Sequence, residues 1–210
     1  MHMMSFRPRA GAGGYSLIEV MITMFIIAIG LLGLAGLQAR ALTGEIEAAS
    51  RGQGLLLAND MADRIAANLS AAKIPSGAAT YDQKDGGGVL TVFGTDYSNS
   101  CITANPASLT AQAACCQTKS SQAEIDICEW DLALKGIAES SGSATKIGAM
   151  AGARGCVFLQ STNIYEIDVV WQGRDATGAV ASDLTCGSTA ITTKRRGVSR
   201  RLRVSDLDGS

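Results

Sequence analysis

From Val20 to Leu37 the chain runs through 18 consecutive residues of which only Thr23 is polar. Nothing else in the 210 residues constrains the fold as strongly. Taken as an α-helix from Tyr15, the segment is long enough, at about 1.5 Å per residue, to cross a bilayer core. A helix also satisfies every backbone polar group internally, as lipid demands. Arg7 and Arg9 precede the run, and Arg40, Glu45 and Glu47 come after it. The positive-inside bias therefore predicts a cytoplasmic N-terminus and an exported body. Six cysteines, an even number, agree with an oxidising compartment.

Composition removes several function classes. Apolar residues make up 47% of the chain and charged ones 18%, which excludes a disordered tail. A net charge of −1 excludes a globally basic nucleic-acid binder. The one histidine, His2, lies upstream of the apolar run. If that leader is removed, the mature chain has no Ser-His or Cys-His nucleophile pair, no histidine metal ligand and no imidazole proton shuttle. Glu166 and Asp168 form a carboxylate pair, but strand alternation places them on an exposed face. No P-loop or G-x-G-x-x-G follows a strand. An enzyme is not expected, nor is a cofactor or a metal.

Three readings compete for the apolar segment. A secretory signal with a cut at Ala39-Arg40-Ala41 is one, but the run is too long for that class. A plain single-pass anchor explains the length and leaves Gly14-Tyr15-Ser16-Leu17-Ile18-Glu19-Val20 unexplained. A carboxylate at the edge of a membrane helix is costly and is a functional candidate by default. If the chain is cut between Gly14 and Tyr15, the new amine lies four residues from Glu19 on the same helical face. Glu19 can then pair with its own amine or with that of a neighbouring subunit. It also sits in the first turn, where the helix dipole favours negative charge.

This glycine, aromatic residue, Ser-Leu-Ile-Glu-Val and apolar helix resemble the class III signal of type IV prepilins. The resemblance implies that prepilin peptidase cuts after Gly14 on the cytoplasmic side and methylates Tyr15, and that Glu19 is the carboxylate of assembly. Tyr15 departs from the phenylalanine usual in that family but keeps an aromatic ring. Ile29-Gly30-Leu31-Leu32-Gly33-Leu34-Ala35-Gly36-Leu37-Gln38 and Ala58 to Asn68 resemble the PilV-type minor pilins, the type IV pilus modification proteins. Trp171-Gln172-Gly173 and Cys186-Gly187 resemble that group more weakly. The resemblance implies a minor pilin that helps prime the pilus and supports a tip adhesin. Its partners would be prepilin peptidase, other minor and major pilins and the inner-membrane assembly platform. It would sit in the inner membrane before assembly and in the pilus on the cell surface afterwards. A minor pseudopilin of a type II secretion system and a membrane-anchored binding module that never polymerises are the alternatives.

The expected organisation is a leader over residues 1–14, a membrane and assembly helix over 15–37, and a pilin body over 38–210. The fold class is α+β: a long N-terminal helix packed on a small antiparallel sheet with disulfide-clipped loops. Leu42, Ile46, Leu57, Met61, Ile65 and Leu69 recur mainly at multiples of four, which continues the helix to about Leu69 as an amphipathic stripe. Glu45, Glu47, Arg51, Asp60, Asp63 and Arg64 mark its opposite face. Gly30, Gly33 and Gly36 permit either close helix approach or local softening. Turns are expected at Ile74-Pro75-Ser76-Gly77 and Asp85-Gly86-Gly87-Gly88, and a short strand over Val89 to Phe93. Next comes a helix over Gln122 to Gly136, with Ile125, Cys128, Leu132 and Ile137 on one side, then a loop from Ser140 to Gly155. Cys156 to Leu159 and Ile164 to Trp171 form a hairpin, and Val198 to Val204 a last strand. In the second hairpin strand Tyr165, Ile167, Val169 and Trp171 share the buried face.

Six cysteines allow 15 pairings, and adjacent Cys115 and Cys116 do not readily bond to each other. Cys156 and Cys186 bracket the Tyr165 strand and form the expected pair. Cys101, Cys115, Cys116 and Cys128 form two clips whose partners stay open. Without a C-x-x-C or a histidine ligand, zinc is not expected. Lys194, Arg195, Arg196, Arg200, Arg201 and Arg203 put six basic residues into ten. A nucleic-acid patch is weighed against a charged strand edge that resists aggregation, or a rim facing an acidic neighbour. Residues 15–193 hold ten basic and 17 acidic side chains, so the edge and rim readings are favoured.

Overall fold

Helix-forming residues run without a proline from Ser16 to Lys73, and one helix takes nearly all of them. The computed structural model describes residues 16–72, 81–82, 91–95, 101, 114–137, 140–141, 145–146, 150–161, 163–176, 185–187, 191 and 193–204. Helix α1, Leu17–Ala67, is 51 residues long. Asn68 interrupts it, and α2, Leu69–Ala72, adds one more turn. The chain divides into two compact units, Met1–Glu45 and Ile46–Ser210.

In the second unit the strands are β1 (Phe93–Gly94), β4 (Arg154–Ser161), β5 (Ile164–Gln172) and β6 (Arg195–Arg203), in the order β1-β4-β5-β6. All three pairings are antiparallel. The expected hairpin is β4–β5, turned at Asn163, whose φ of 65° suits an asparagine. The stretch expected as a loop from Ser140 also holds a small antiparallel pair, β2 (Ser140–Ser141) with β3 (Thr145–Lys146). The turns expected at 74–77 and 85–88 lie outside the described residues.

One face of the sheet is covered by the C-terminal part of α1 and by α3, Gln122–Leu134. Its core holds Ala58, Met61 and Ile65 from α1, Trp130 and Leu134 from α3, and Tyr165, Ile167, Val169 and Trp171 from β5. Two glycines set how closely the layers approach. A Cβ at Gly54 would lie 2.9 Å from the Trp171 ring, and one at Gly155 would lie 2.3 Å from the Trp130 ring. Ser121 starts α3 with a capping box. Its hydroxyl accepts from the Glu124 amide at 3.2 Å, and the Glu124 carboxylate accepts from the Ser121 amide.

The second face of the sheet corrects an expectation. Glu166 and Asp168 are buried, 5% and 0% exposed, as is Val170 between them and the strand end. The Cys156–Cys186 disulfide draws the segment carrying Cys186 over this face, where Phe158 and Val170 pack against it. Strand β5 is therefore covered on both sides. Glu166 accepts hydrogen bonds from Gln160 (2.6 Å) and Ser199 (3.1 Å), and Arg201 lies 3.4 Å away. These contacts give the carboxylate a structural environment.

The expected stripe of α1 is also only partly covered. Met61 and Ile65 are buried and Leu57 and Leu69 pack on the core, but Leu42 and Ile46 are 58% and 57% exposed. The α1 residues of the core cluster begin at Leu57, and Leu42 and Ile46 lie on the helix N-terminal of that covered stretch. Two residues assigned to the solvated face are held instead. Glu47 pairs with Arg196 of β6 at 2.8 Å, and Arg64 faces α3.

Arg64 ties α1 to α3. Its guanidinium reaches Glu129 at 2.7 Å, Asp60 at 3.0 Å and Asp126 at 3.5 Å. Burial works against the charge, but the hydrogen bond to Glu129 and the field of Asp60 outweigh it and hold the pKa above the ordinary arginine value. The Tyr81 hydroxyl donates to Asp126 and accepts from Asn68 at 3.1 Å. Burial first, then the bond to Asp126, push the Tyr81 pKa up. Arg64→Ala removes the cation that these three carboxylates share. It is expected to destabilise the body by about 2–4 kcal/mol, measured by urea unfolding.

Tyr165 offers a pH test. Its hydroxyl donates to the Ala72 carbonyl at 2.9 Å, and burial, with the Asp82 charge, pushes its pKa up to about 12. Because the folded pKa lies above the unfolded value of about 10, this contribution is complete below pH 10 and is lost as pH rises through 12. Unfolding free energies at about pH 9 and about pH 11.5 should therefore differ less in Tyr165→Phe than in the unaltered chain.

Candidate functional site

The N-terminal segment is built for surroundings other than water. Ser16 opens α1, its carbonyl accepting from the Glu19 amide at 3.0 Å and the Val20 amide at 3.4 Å. Glu19 is exposed in the first turn, where the free amides and the helix dipole favour a carboxylate. Among the described residues it makes no ion pair. Thr23, the polar residue of the apolar run, donates its hydroxyl to the Val20 carbonyl at 2.9 Å and so presents no unpaired donor. None of the apolar window is buried within the chain, and Leu17, Phe25 and Leu32 are among the side chains left open. So large an open apolar surface marks a lipid or protein contact. One helix among the described residues, α1, is long and apolar enough to cross a membrane.

Gly30, Gly33 and Gly36 have nothing within 4 Å of the position a Cβ would take. Among the described residues their smallness therefore serves no packing within the chain. The helix continues through all three without a break, so no softening is visible at this stretch. Gly14 and Tyr15, the residues expected to flank the cut, lie outside the described residues.

The six cysteines form Cys101–Cys115, Cys116–Cys128 and Cys156–Cys186, closing sequence separations of 14, 12 and 30. Adjacent Cys115 and Cys116 thus join two separate clips at one point. The sulfurs of Cys101, Cys116 and Cys128 lie within 4.8 Å of one another, close enough for a metal if they were thiolates. Each is in a disulfide and has no thiolate to offer. Chain-entropy arguments give clips of this length about 3 kcal/mol each.

Apart from Lys194, the basic run lies on β6, which among the described strands is the outermost on its side of the sheet. Its side chains alternate between faces. Arg196 reaches Glu47 on the helix side, and Arg201 reaches Glu166 on the other. Arg195 donates to the Cys186 carbonyl at 3.4 Å. The Glu47–Arg196 pair is not foreseeable from the sequence, since the two residues are 149 positions apart.

Residues 9–35 match the family description of a prokaryotic N-terminal methylation motif. That motif indicates a type IV pilin-like prepilin, and it covers Gly14, Tyr15, Glu19 and most of the apolar run. It implies processing by prepilin peptidase and assembly with other pilins in a membrane system. With the single apolar helix it supports membrane anchoring and exposure on a pilus surface, and it suggests a structural protein rather than an enzyme. A long helix packed on a small antiparallel sheet, with disulfides, is a pilin-like α+β fold. Comparisons with curated proteins and with solved structures find no match.

Proposed function

We propose that the chain is a minor pilin of a type IV pilus, of the PilV type, which helps prime filament assembly and supports a tip complex for adhesion or motility. The observation that carries this reading is the fully open apolar helix with a carboxylate in its first turn, inside a segment that matches the methylation motif. In this reading residues 1–14 are a leader cut after Gly14, and Tyr15 carries the methylated amine. Residues 15–37 hold the subunit in the inner membrane with its N-terminus cytoplasmic, and 38–210 form the exported body. After extraction from the membrane the same helix packs against those of other pilins. Glu19 neutralises the Tyr15 amine of a neighbour and sets axial register, because an unpaired charge in lipid or in an apolar filament core costs several kcal/mol. Gly30, Gly33 and Gly36 then serve close approach between helices.

The test is the intact mass of the protein isolated from host membranes without reductant. The expected mass begins at Tyr15, carries one added methyl and lacks two hydrogens for each of the three disulfides. A mass that retains residues 1–14, or that begins after Ala41, would remove the pilin reading. Recovery of the processed subunit with a secretion complex rather than with pili would assign it to a pseudopilus.

A further inference from the structure

We propose that the free edge of β6 is a docking edge for an extended acidic segment of another protein, which adds as a further strand of the sheet. Along all nine residues β6 is paired on one side, from Ile164 opposite Arg203 to Gln172 opposite Arg195, and on its other side no described strand follows. Gly197 and Ser199 are exposed, and at Gly197 the exposed surface is the backbone itself. An outer strand of this length presents a row of unsatisfied amides and carbonyls, the template on which strand addition works.

Charge selects the occupant. Arg200 and Arg203 are exposed and make no ion pair among the described residues, and Arg201 is 71% exposed although it lies 3.4 Å from Glu166. Arg200 stands on the helix side, opposite Ile167, whereas Arg201 and Arg203 stand on the other side, opposite Glu166 and Ile164. Cations therefore flank the open edge on both faces of the sheet. A second copy of β6 would bring arginine against arginine, so the edge rejects itself. A strand carrying glutamates or aspartates would meet a cation on either face while its backbone completes the ladder. Duplex nucleic acid is the less suitable occupant. Its backbone spreads phosphates over a wide surface, whereas these cations follow a single strand edge with Glu47 and Glu166 beside them. Among the described residues no strand covers this edge in the single subunit, so docking there does not depend on entry into a filament.

The test uses the full-length chain in detergent micelles and a short fluorescent peptide built from glutamate and valine. The expected result is saturable binding with slowed hydrogen exchange at β6 amides. The same peptide N-methylated throughout keeps its charge and cannot form a ladder, and it should not bind. Arg200→Glu with Arg203→Glu should weaken binding by about tenfold or more. The paired substitutions to Gln, which leave the fold less perturbed, should weaken it to a smaller extent. Equal binding of the N-methylated peptide, tighter binding of duplex DNA than of the peptide, or no binding of the peptide would each overturn the proposal.

Discussion

Glu19→Ala is expected to leave a subunit that is processed, membrane-bound and folded, and that is depleted from sheared filaments by about tenfold or more relative to the unaltered chain. Glu19 is exposed and makes no ion pair among the described residues, so its loss takes nothing from the packing of the body. Urea midpoints should therefore match. The effect appears only when subunits meet. A neighbour's amine brought into apolar surroundings without a counter-charge costs several kcal/mol, and about 1.4 kcal/mol already corresponds to a factor of ten in an equilibrium. Glu19→Asp keeps the charge on a shorter stem and should recover part of the incorporation. Glu19→Gln keeps the size without the charge and should not. If the alanine variant entered filaments at the normal ratio, Glu19 would have no part in assembly.

The legible parts of this protein are those where one local pattern decides the outcome. Val20 to Leu37 admits few structures other than a helix, and α1 is helical throughout it. Alternation in Ile164–Gln172 puts Tyr165, Ile167, Val169 and Trp171 on one face, and all four are in one core cluster. The same alternation fails for Glu166 and Asp168. A period of two separates the faces but does not say whether the second is covered, and here a segment tied by Cys186 covers it. Leu42 and Ile46 are exposed because they precede the stretch of α1 that the core covers, and a periodic stripe does not say where its cover begins. Ser121 and Glu124 stand at capping-box spacing, a readable start signal for α3, which begins at Gln122 as expected. The Arg64–Glu129 and Glu47–Arg196 pairings are not readable, since each joins elements far apart in sequence by tertiary geometry alone.

Trp130→Ala is expected to produce the largest loss of stability in the body, about 3–5 kcal/mol. Trp130 is fully buried, stands edge-on to Phe93 with ring centroids 6.2 Å apart, and donates its indole N–H to the Leu57 carbonyl at 2.9 Å. It thus joins α3 to α1 and to the sheet at one point, and truncation leaves a cavity among rigid layers. Gly155 is the complement of that ring. Glycine normally weakens a strand, but a Cβ here would lie 2.3 Å from the Trp130 ring and 2.8 Å from Leu134. Gly155→Ala alone should therefore cost about 1–3 kcal/mol by overpacking. With Trp130→Ala present, the closer obstacle is gone, only the terminal methyl of Leu134 still has to give way, and the added methyl partly fills the space. The double variant should be less destabilised than the sum of the single ones by about 1 kcal/mol or more. Trp171, the other tryptophan, remains to report unfolding by fluorescence in every member of the cycle. Strict additivity would mean that the smallness of position 155 serves something other than the Trp130 ring.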